Sequence, residues 1–304
     1  MSRFIVLLVA ALLAGCMGGS TGSTGSDTPD AVVSTAALPA APLAPVEAEV
    51  ASRAYAAMVV DARNGKVLHQ NSARSLRYPA SLTKMMTLYM VFEQLDAGRL
   101  RPTTQLSVSA NAASRPPAKR GVREGTTISV DEAARAMAVR SANDVAVVIA
   151  ENLAGSEEAF AARMTRKARS LGMTQTQFVN ASGLPDPNQY TTARDMAILG
   201  EKLMEGFPRW SKYFQVRSFT YRGRKWTNTN KLLGKVQGVE GIKTGYIRAS
   251  GYNLVTSVKR DGRHIIAVVI GGRTGRDRNA KMEALIEEYL PRASRPGLLG
   301  VKLF

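Results

Sequence analysis

The sequence predicts an α+β fold, an antiparallel sheet built from both chain ends with an inserted helical subdomain. Three observations predict it. Strand-like runs at residues 55–61 and 66–70 are joined by Ala62-Arg63-Asn64-Gly65, and Asn-Gly is a strong hairpin signal because both positions tolerate positive φ. Strand-like runs return late in the chain, at 216–226, 238–246, 252–259 and 264–270, with Asp261-Gly262 marking a hairpin between the last two. Between the two sets lie segments with helical periodicity and helix-type ends. Strands grouped apart from helices indicate α+β architecture rather than an alternating parallel fold. No internal repeat is present.

Before the first strand the chain reads differently. Residues 1–15 have the form of a secretory signal: Arg3 supplies a positive start, and residues 4–13 are an unbroken apolar run, too short to span a membrane. The run ends in Leu13-Ala14-Gly15-Cys16, which resembles the bacterial lipobox, so Cys16 is expected to be lipidated and to anchor the protein to a membrane. Residues 16–48 are rich in Gly, Ser, Thr, Ala and Pro without an apolar period, the composition of a disordered tether. A catalytic domain is expected over 49–292 and a short tail over 293–304.

The first helix is expected to start at Pro79-Ala80-Ser81-Leu82-Thr83-Lys84, because proline costs nothing at a helix start and an apolar run follows. Ser81 and Lys84 are then one turn apart on one face, so an amine can reach a hydroxyl. Residues 126–128 read as a short extended segment. Ser129-Val130-Asp131-Glu132 matches a capping box ahead of a helix over 132–139. A further helix is expected over 143–153, stopping at Gly155, with Ser141 a good capping residue at its start. The next runs from Ser156 to Gly172. Thr192 caps another over 193–204, and 278–290 is a closing amphipathic helix.

Composition narrows the chemistry. A hydrophobic content of 45% with 21% charged residues is that of a globular protein, so a packed site is expected. The formal charge is +17, which favours acidic partners: nucleic acid, anionic lipid or an anionic cell-wall polymer. No zinc-finger, helix-turn-helix or RNA-reading motif accompanies it, so nucleic acid is not expected as a partner. With two histidines (His69 and His264, both in strand-like runs) and one cysteine, the chain can hardly assemble a zinc site, and an internal disulfide is impossible. Neither metal nor cofactor is expected.

Ser81-x-x-Lys84, Ser141-x-Asn143 and Lys243-Thr244-Gly245 are each weak signals alone. In this order and spacing they form the signature of the penicillin-binding proteins and serine β-lactamases. The chain resembles the serine D-alanyl-D-alanine carboxypeptidases, the low-molecular-mass penicillin-binding proteins, over about residues 50 to 292. Asn180-Ala181-Ser182-Gly183-Leu184, Gly241-Ile242-Lys243-Thr244-Gly245-Tyr246 and Gly271-Gly272-Arg273-Thr274 also match that family.

The resemblance implies a β-lactamase/DD-peptidase-like fold and an acyl transfer. Ser81 would attack the carbonyl between two D-alanines of a peptidoglycan stem peptide. Lys84 would be its base, kept neutral by desolvation and by the charge of Lys243. Ser141 would pass the proton to the departing D-alanine and Asn143 would hold the substrate amide. Lys243, Thr244, Gly245, Tyr246 and Arg273 would bind substrate, with Lys243 and Thr244 on the terminal carboxylate. The backbone N–H groups of Ser81 and Tyr246 would form the oxyanion hole. Penicillins would acylate Ser81 as substrate mimics. A D,D-endopeptidase acting on cross-links uses the same site, and a non-catalytic β-lactam or cell-wall sensor uses the same fold. The segment from Phe178 to Asp195 lacks the glutamate with which class A β-lactamases activate the deacylating water, so penicillin turnover is expected to be slow. Ala142 stands where carboxypeptidases commonly have glycine, and Tyr246 where some relatives have histidine. The C-terminal β-domain and membrane anchor of larger relatives are not expected after Leu290.

Overall fold

The computed structural model describes residues 53–116, 120–221 and 223–296. Cys16, the signal and the tether lie outside the described residues.

A five-stranded antiparallel sheet, ordered β2-β1-β9-β8-β7, carries the molecule. Its strands are β1 (Ala56–Asp61), β2 (Val67–Asn71), β7 (Lys243–Ile247), β8 (Gly251–Arg260) and β9 (Arg263–Gly272). Both chain ends contribute, as the hydrophobic pattern predicts. β9 pairs with β1 on one side (Val59 opposite Ala267) and with β8 on the other (Val255 opposite Val268).

Side chains alternate across a strand, and in β1 and β9 both faces are apolar. Met58, Val60, Ile266 and Val268 face a core shared with the helical block. Ala57, Val59, Ile265 and Val269 face a second core capped by Met282, Leu285 and Ile286 of helix α7 (Gly275–Tyr289). The larger core is organised by α1 (Lys84–Asp96). Phe92 of α1 is fully buried among Phe207, Tyr213 and Phe214, with ring centroids 5.9–6.1 Å apart. Burial of such a ring stabilises by about 1.5–3 kcal/mol.

The inserted block holds α2 (Ala110–Ser114), α3 (Val130–Arg135), α4 (Asn143–Ala154), α5 (Glu157–Ser170) and α6 (Ala193–Gly206), with a small ribbon of β3 (Gln105–Ser107) and β4 (Thr127–Ser129). Ser129 and Glu132 form the predicted capping box, and Thr192 accepts from the Asp195 N–H as the predicted cap of α6. Asp144 in the first turn of α4 is fully buried. Its carboxylate accepts from the backbone N–H groups of Arg120, Gly121, Val122 and Val145, so the 120–122 loop is clamped to the helix that carries Asn143.

Four expectations need correction. The helix expected over 132–139 is α for only part of that length and ends as a π-turn over Ala136–Arg140. The run 216–226 is not one strand but a hairpin, β5 (Ser218–Tyr221) and β6 (Arg224–Thr227), outside the main sheet, because Gly223 turns the chain at φ 73°. The run 238–246 enters the sheet only at Lys243; before it Val239 makes an isolated bridge to Val258. The closing helix begins at Gly275, earlier than expected, because Thr274 caps it by accepting from the Asp277 N–H. Among the described residues no helix is long and apolar enough to cross a membrane.

Candidate active site

Ser81 lies in a single 3-10 turn, Ala80–Thr83, that feeds directly into α1. Two glycines press on this turn. A Cβ at Gly183 would stand 1.9 Å from the Ala80 carbonyl oxygen, and one at Gly245 would stand 3.2 Å from the Ser81 nitrogen. Only glycine lets backbone approach that closely. Thus β7 runs beside the nucleophile's backbone, and the 182–183 segment closes the other side.

Lys84, at the head of α1, is fully buried. Its Nζ lies 3.2 Å from Ser81 Oγ, donates to Asn143 Oδ1 at 2.7 Å, and donates to the Ser182 carbonyl. Three elements therefore converge on one amine: α1, the start of α4 and the 180–183 turn. Burial holds this amine well below the usual lysine range, and the nearby Lys243 charge lowers it further, while Asp144 and Glu157 oppose the shift. Lys243 contributes as expected, but desolvation is the larger cause.

Lys243 begins β7 and is itself buried, its pKa brought to about 7 by burial and by Arg278. Its Nζ donates to the Thr244 carbonyl, and Thr244 Oγ1 donates to Thr229 Oγ1 at 2.7 Å. Arg278 is buried and donates to the Asn253 carbonyl and to Asn279 Oδ1. Its position follows from helix geometry: Gly275 and Arg278 are one turn apart on α7 and present one face to the cleft.

Ser141 is not the helix cap that its sequence position implies. It adopts φ 63°, ψ 37° after the π-turn, and Ala142 occupies the cap position with no capping side chain. This left-handed residue turns the chain so that the Ser141 hydroxyl lines the cleft beside Ser81. Ser141 Oγ is buried without a hydrogen-bond partner among the described residues. An unpaired buried hydroxyl costs stability, so its retention fits a group that waits for a ligand.

The cleft has a volume of about 350 Å³, within the range of small-ligand sites. Ser81, Ser141, Thr244, Gly245 and Tyr246 line it as expected, joined by Arg140, Thr229, Tyr252, Gly275 and Arg278. Lys84, Asn143 and Lys243 are buried next to these lining residues in sequence or by hydrogen bond. None of the lining residues is acidic, so the cavity is built for an anion. Arg273 does not join them: it is exposed at the end of β9, its N–H bound to Asp277. Arg278 holds the place in the cleft that was expected of Arg273. The run Arg273, Arg276, Arg278 offers three candidates, and only the helix phase selects among them.

A larger cavity, about 590 Å³, opens beside Arg63, Glu205 and His264 and contains none of the motif residues. His264 is buried, shares a hydrogen bond with Ser257 and has a pKa lowered to about 4 by burial, while His69 packs on Tyr289. Both histidines belong to the fold. No metal-holding cluster of His, Cys, Asp and Glu occurs among the described residues.

Comparison with known proteins places these features in a family. Residues 42–274 match the family described as D-alanyl-D-alanine carboxypeptidase. The chain is 34% identical over 244 residues to D-alanyl-D-alanine carboxypeptidase DacF of Bacillus subtilis (79% of this chain, 63% of that protein). It is 36% identical over 240 residues to D-alanyl-D-alanine carboxypeptidase DacC of Escherichia coli (77% and 60%). The matched region thus spans about three fifths of the length of these relatives. The fold is similar to the crystal structure of penicillin-binding protein D2 from Listeria monocytogenes in its cefotaxime-bound form, with a TM-score of 0.70 and 31% identity over 79% of this chain and 98% of that one.

Proposed function

The chain belongs to the D-alanyl-D-alanine carboxypeptidase family, and on that premise we propose that it is a serine-type D,D-carboxypeptidase. It removes the terminal D-alanine of peptidoglycan stem peptides through an acyl-serine intermediate. One observation carries the reading: a buried amine of depressed pKa lies 3.2 Å from a serine hydroxyl that opens into a cationic cleft.

The chemistry follows from these groups. Lys84 Nζ, neutral because charging it in a buried site is costly, takes the Ser81 proton as Oγ attacks the penultimate D-alanine carbonyl carbon. A positioned base of this kind contributes about 10²–10⁴ in rate. The oxyanion forms against the backbone N–H groups of Ser81 and Tyr246, a reading that the close passage of Gly245 beside the Ser81 nitrogen supports. Ser141 relays the proton to the leaving nitrogen, the C–N bond breaks, and D-alanine departs. Lys243, Thr244 and Arg278 hold its carboxylate, and Asn143 the substrate amide. Water then attacks the ester carbon, Lys84 takes its proton and passes it to Ser81 Oγ as the C–O bond breaks, and the shortened peptide leaves with both groups restored.

Penicillins acylate Ser81 as substrate mimics, and the adduct is long-lived. Among the described residues no carboxylate lines the cleft to activate water against it. Of the two carboxylates whose charge acts on Lys84, Asp144 accepts from four backbone N–H groups and Glu157 is engaged on both oxygens, by the Ala181 N–H and by Arg115. The test joins two assays on the purified protein. A stem pentapeptide should lose D-alanine, and fluorescent penicillin should label the protein stably, with the adduct on the peptide containing Ser81. Labelling without D-alanine release overturns the carboxypeptidase reading in favour of a sensor, and rapid penicillin hydrolysis overturns it in favour of a β-lactamase.

The reading extends to place. We assign the protein to the periplasmic face of the cell envelope, exported and held through a lipid on Cys16 and a tether over 16–48. The lipobox-like ending of the signal supports this. A Cys16→Ser protein should move to the soluble fraction; if it stays with the membrane as the parent does, the anchor lies elsewhere.

A further inference from the structure

Arg140 ends the π-turn immediately before Ser141 and is exposed. It lines the same cavity as Ser81, Thr229, Thr244 and Arg278. Among the described residues no acidic side chain pairs with it. Its guanidinium carbon instead lies 4.9 Å from the ring centroid of Trp226 on β6. Trp226 is in turn stacked on Phe219 across the hairpin, centroids 6.3 Å apart. The hairpin therefore braces a free guanidinium at the cleft. Cation–π stacking of this kind fixes the plane of an arginine while leaving its N–H edge available to a ligand.

The cavity thus holds two guanidiniums from different parts of the fold. Arg278 comes from α7, which covers the sheet, and Arg140 from the helical block. Lys243 lies buried behind Thr244, its pKa brought to about 7 by burial and by Arg278. An anion next to Ser81 is met by a guanidinium from each of these two parts of the fold. Arg278 already spends N–H groups on Asn253 and Asn279, while Arg140 has no such commitments among the described residues.

Resting on the carboxypeptidase reading, we propose that Arg140, held by Trp226, is a second guanidinium for the terminal carboxylate, beside Arg278 and Lys243, and a determinant of selectivity for free chain ends. The motif residue Ser141 and this cation are adjacent in sequence, so the turn that delivers the hydroxyl to the leaving nitrogen also delivers a charge to the leaving group's carboxylate.

The test compares two stem peptides that differ only at the end, a D-Ala-D-Ala carboxylate and its carboxamide. In the parent protein kcat/KM favours the carboxylate. R140A should reduce that carboxylate-to-carboxamide ratio by about tenfold, mainly through KM, as expected for loss of a partly screened charge-assisted hydrogen bond. R140K should restore part of the ratio, since it keeps the charge and loses the fork. An unchanged ratio overturns the proposal, as does a parallel loss on both peptides, which marks a structural role. The same two peptides titrated by calorimetry into Ser81→Ala protein, with and without R140A, read carboxylate recognition without turnover. A parent protein that releases no D-alanine then sinks the carboxypeptidase reading alone, and the titration still decides the role of Arg140.

Discussion

Lys84→Met protein folds, yet Ser81 acylates at least about a thousandfold more slowly than in the parent, because the amine 3.2 Å from Ser81 Oγ that takes its proton is gone. The fold should tolerate the change for opposing reasons. Removing the amine leaves Asn143 Oδ1 without that donor and takes the Lys84 donor from the Ser182 carbonyl, which costs about 1–3 kcal/mol for a buried acceptor. Against this, a methionine in a fully buried position has no charge to keep out of the core.

The pH dependence separates base from bystander. In the parent, kcat/KM falls on the acid side as Lys84 gains its proton, below the ordinary lysine value of 10.5. It falls on the alkaline side as pH rises through about 7 and Lys243 loses the charge that holds the carboxylate. Lys84→Met should lose the acid limb and keep the alkaline one. Stability moves with the same group. A lysine whose folded pKa is lowered binds fewer protons folded than unfolded, so stability rises with pH up to the unfolded value of 10.5, and Lys84→Met should show less of that rise. Stopped-flow acylation by penicillin across pH checks the claim; acylation within tenfold of the parent would mean that another group is the base.

Gly183→Ala should cut acylation by about a hundredfold, the order of loss expected when a reacting group is displaced by about 1 Å. The new methyl would stand 1.9 Å from the Ala80 carbonyl oxygen and 2.4 Å from its carbon, both backbone atoms with nowhere to rotate. The chain must move, and what moves is the turn that carries Ser81. Gly183 also sits at φ 82°, which alone costs an alanine about 1–2 kcal/mol. Gly172→Ala is the control: φ is 86° there, and nothing lies within 4 Å of the added atom. Both variants should lose stability, but only Gly183→Ala should lose acylation. Equal behaviour in penicillin labelling and thermal melts would show that the glycine does not position the nucleophile.

The parts of the site legible in the sequence are those that local spacing fixes. Ser81 and Lys84 share a helical turn, and Asn143 opens a helix with Ser141 just before it, so their neighbourhoods follow from 3.6-residue geometry. What escaped depends on backbone states or on packing between distant segments. The left-handed turn at Ser141 arises from a π-turn that no composition rule announces, so the residue reads as an ordinary cap. The hairpin at 218–227 alternates as a single strand would, and only Gly223 in Arg222-Gly223-Arg224 signalled a break. Thr229 and Arg278 reach the cleft through a loop and a helix phase that spacing alone cannot orient. Much of the fold was readable because β1 and β9 are buried on both faces and appear as apolar runs. The exception was β7, whose start at Lys243 depends on where pairing with β8 begins.

The position of β9 in the middle of the sheet has a consequence for how the molecule comes into being. β1 is the first strand made, but its partner β9 ends at Gly272, and Val59 pairs with Ala267. Closing so long a loop is entropically costly and makes for slow folding. Until the last strands exist, β1 and β2 are a lone ribbon, marginal in water. A chain delivered N-terminus first therefore cannot complete its main sheet until synthesis has passed Gly272.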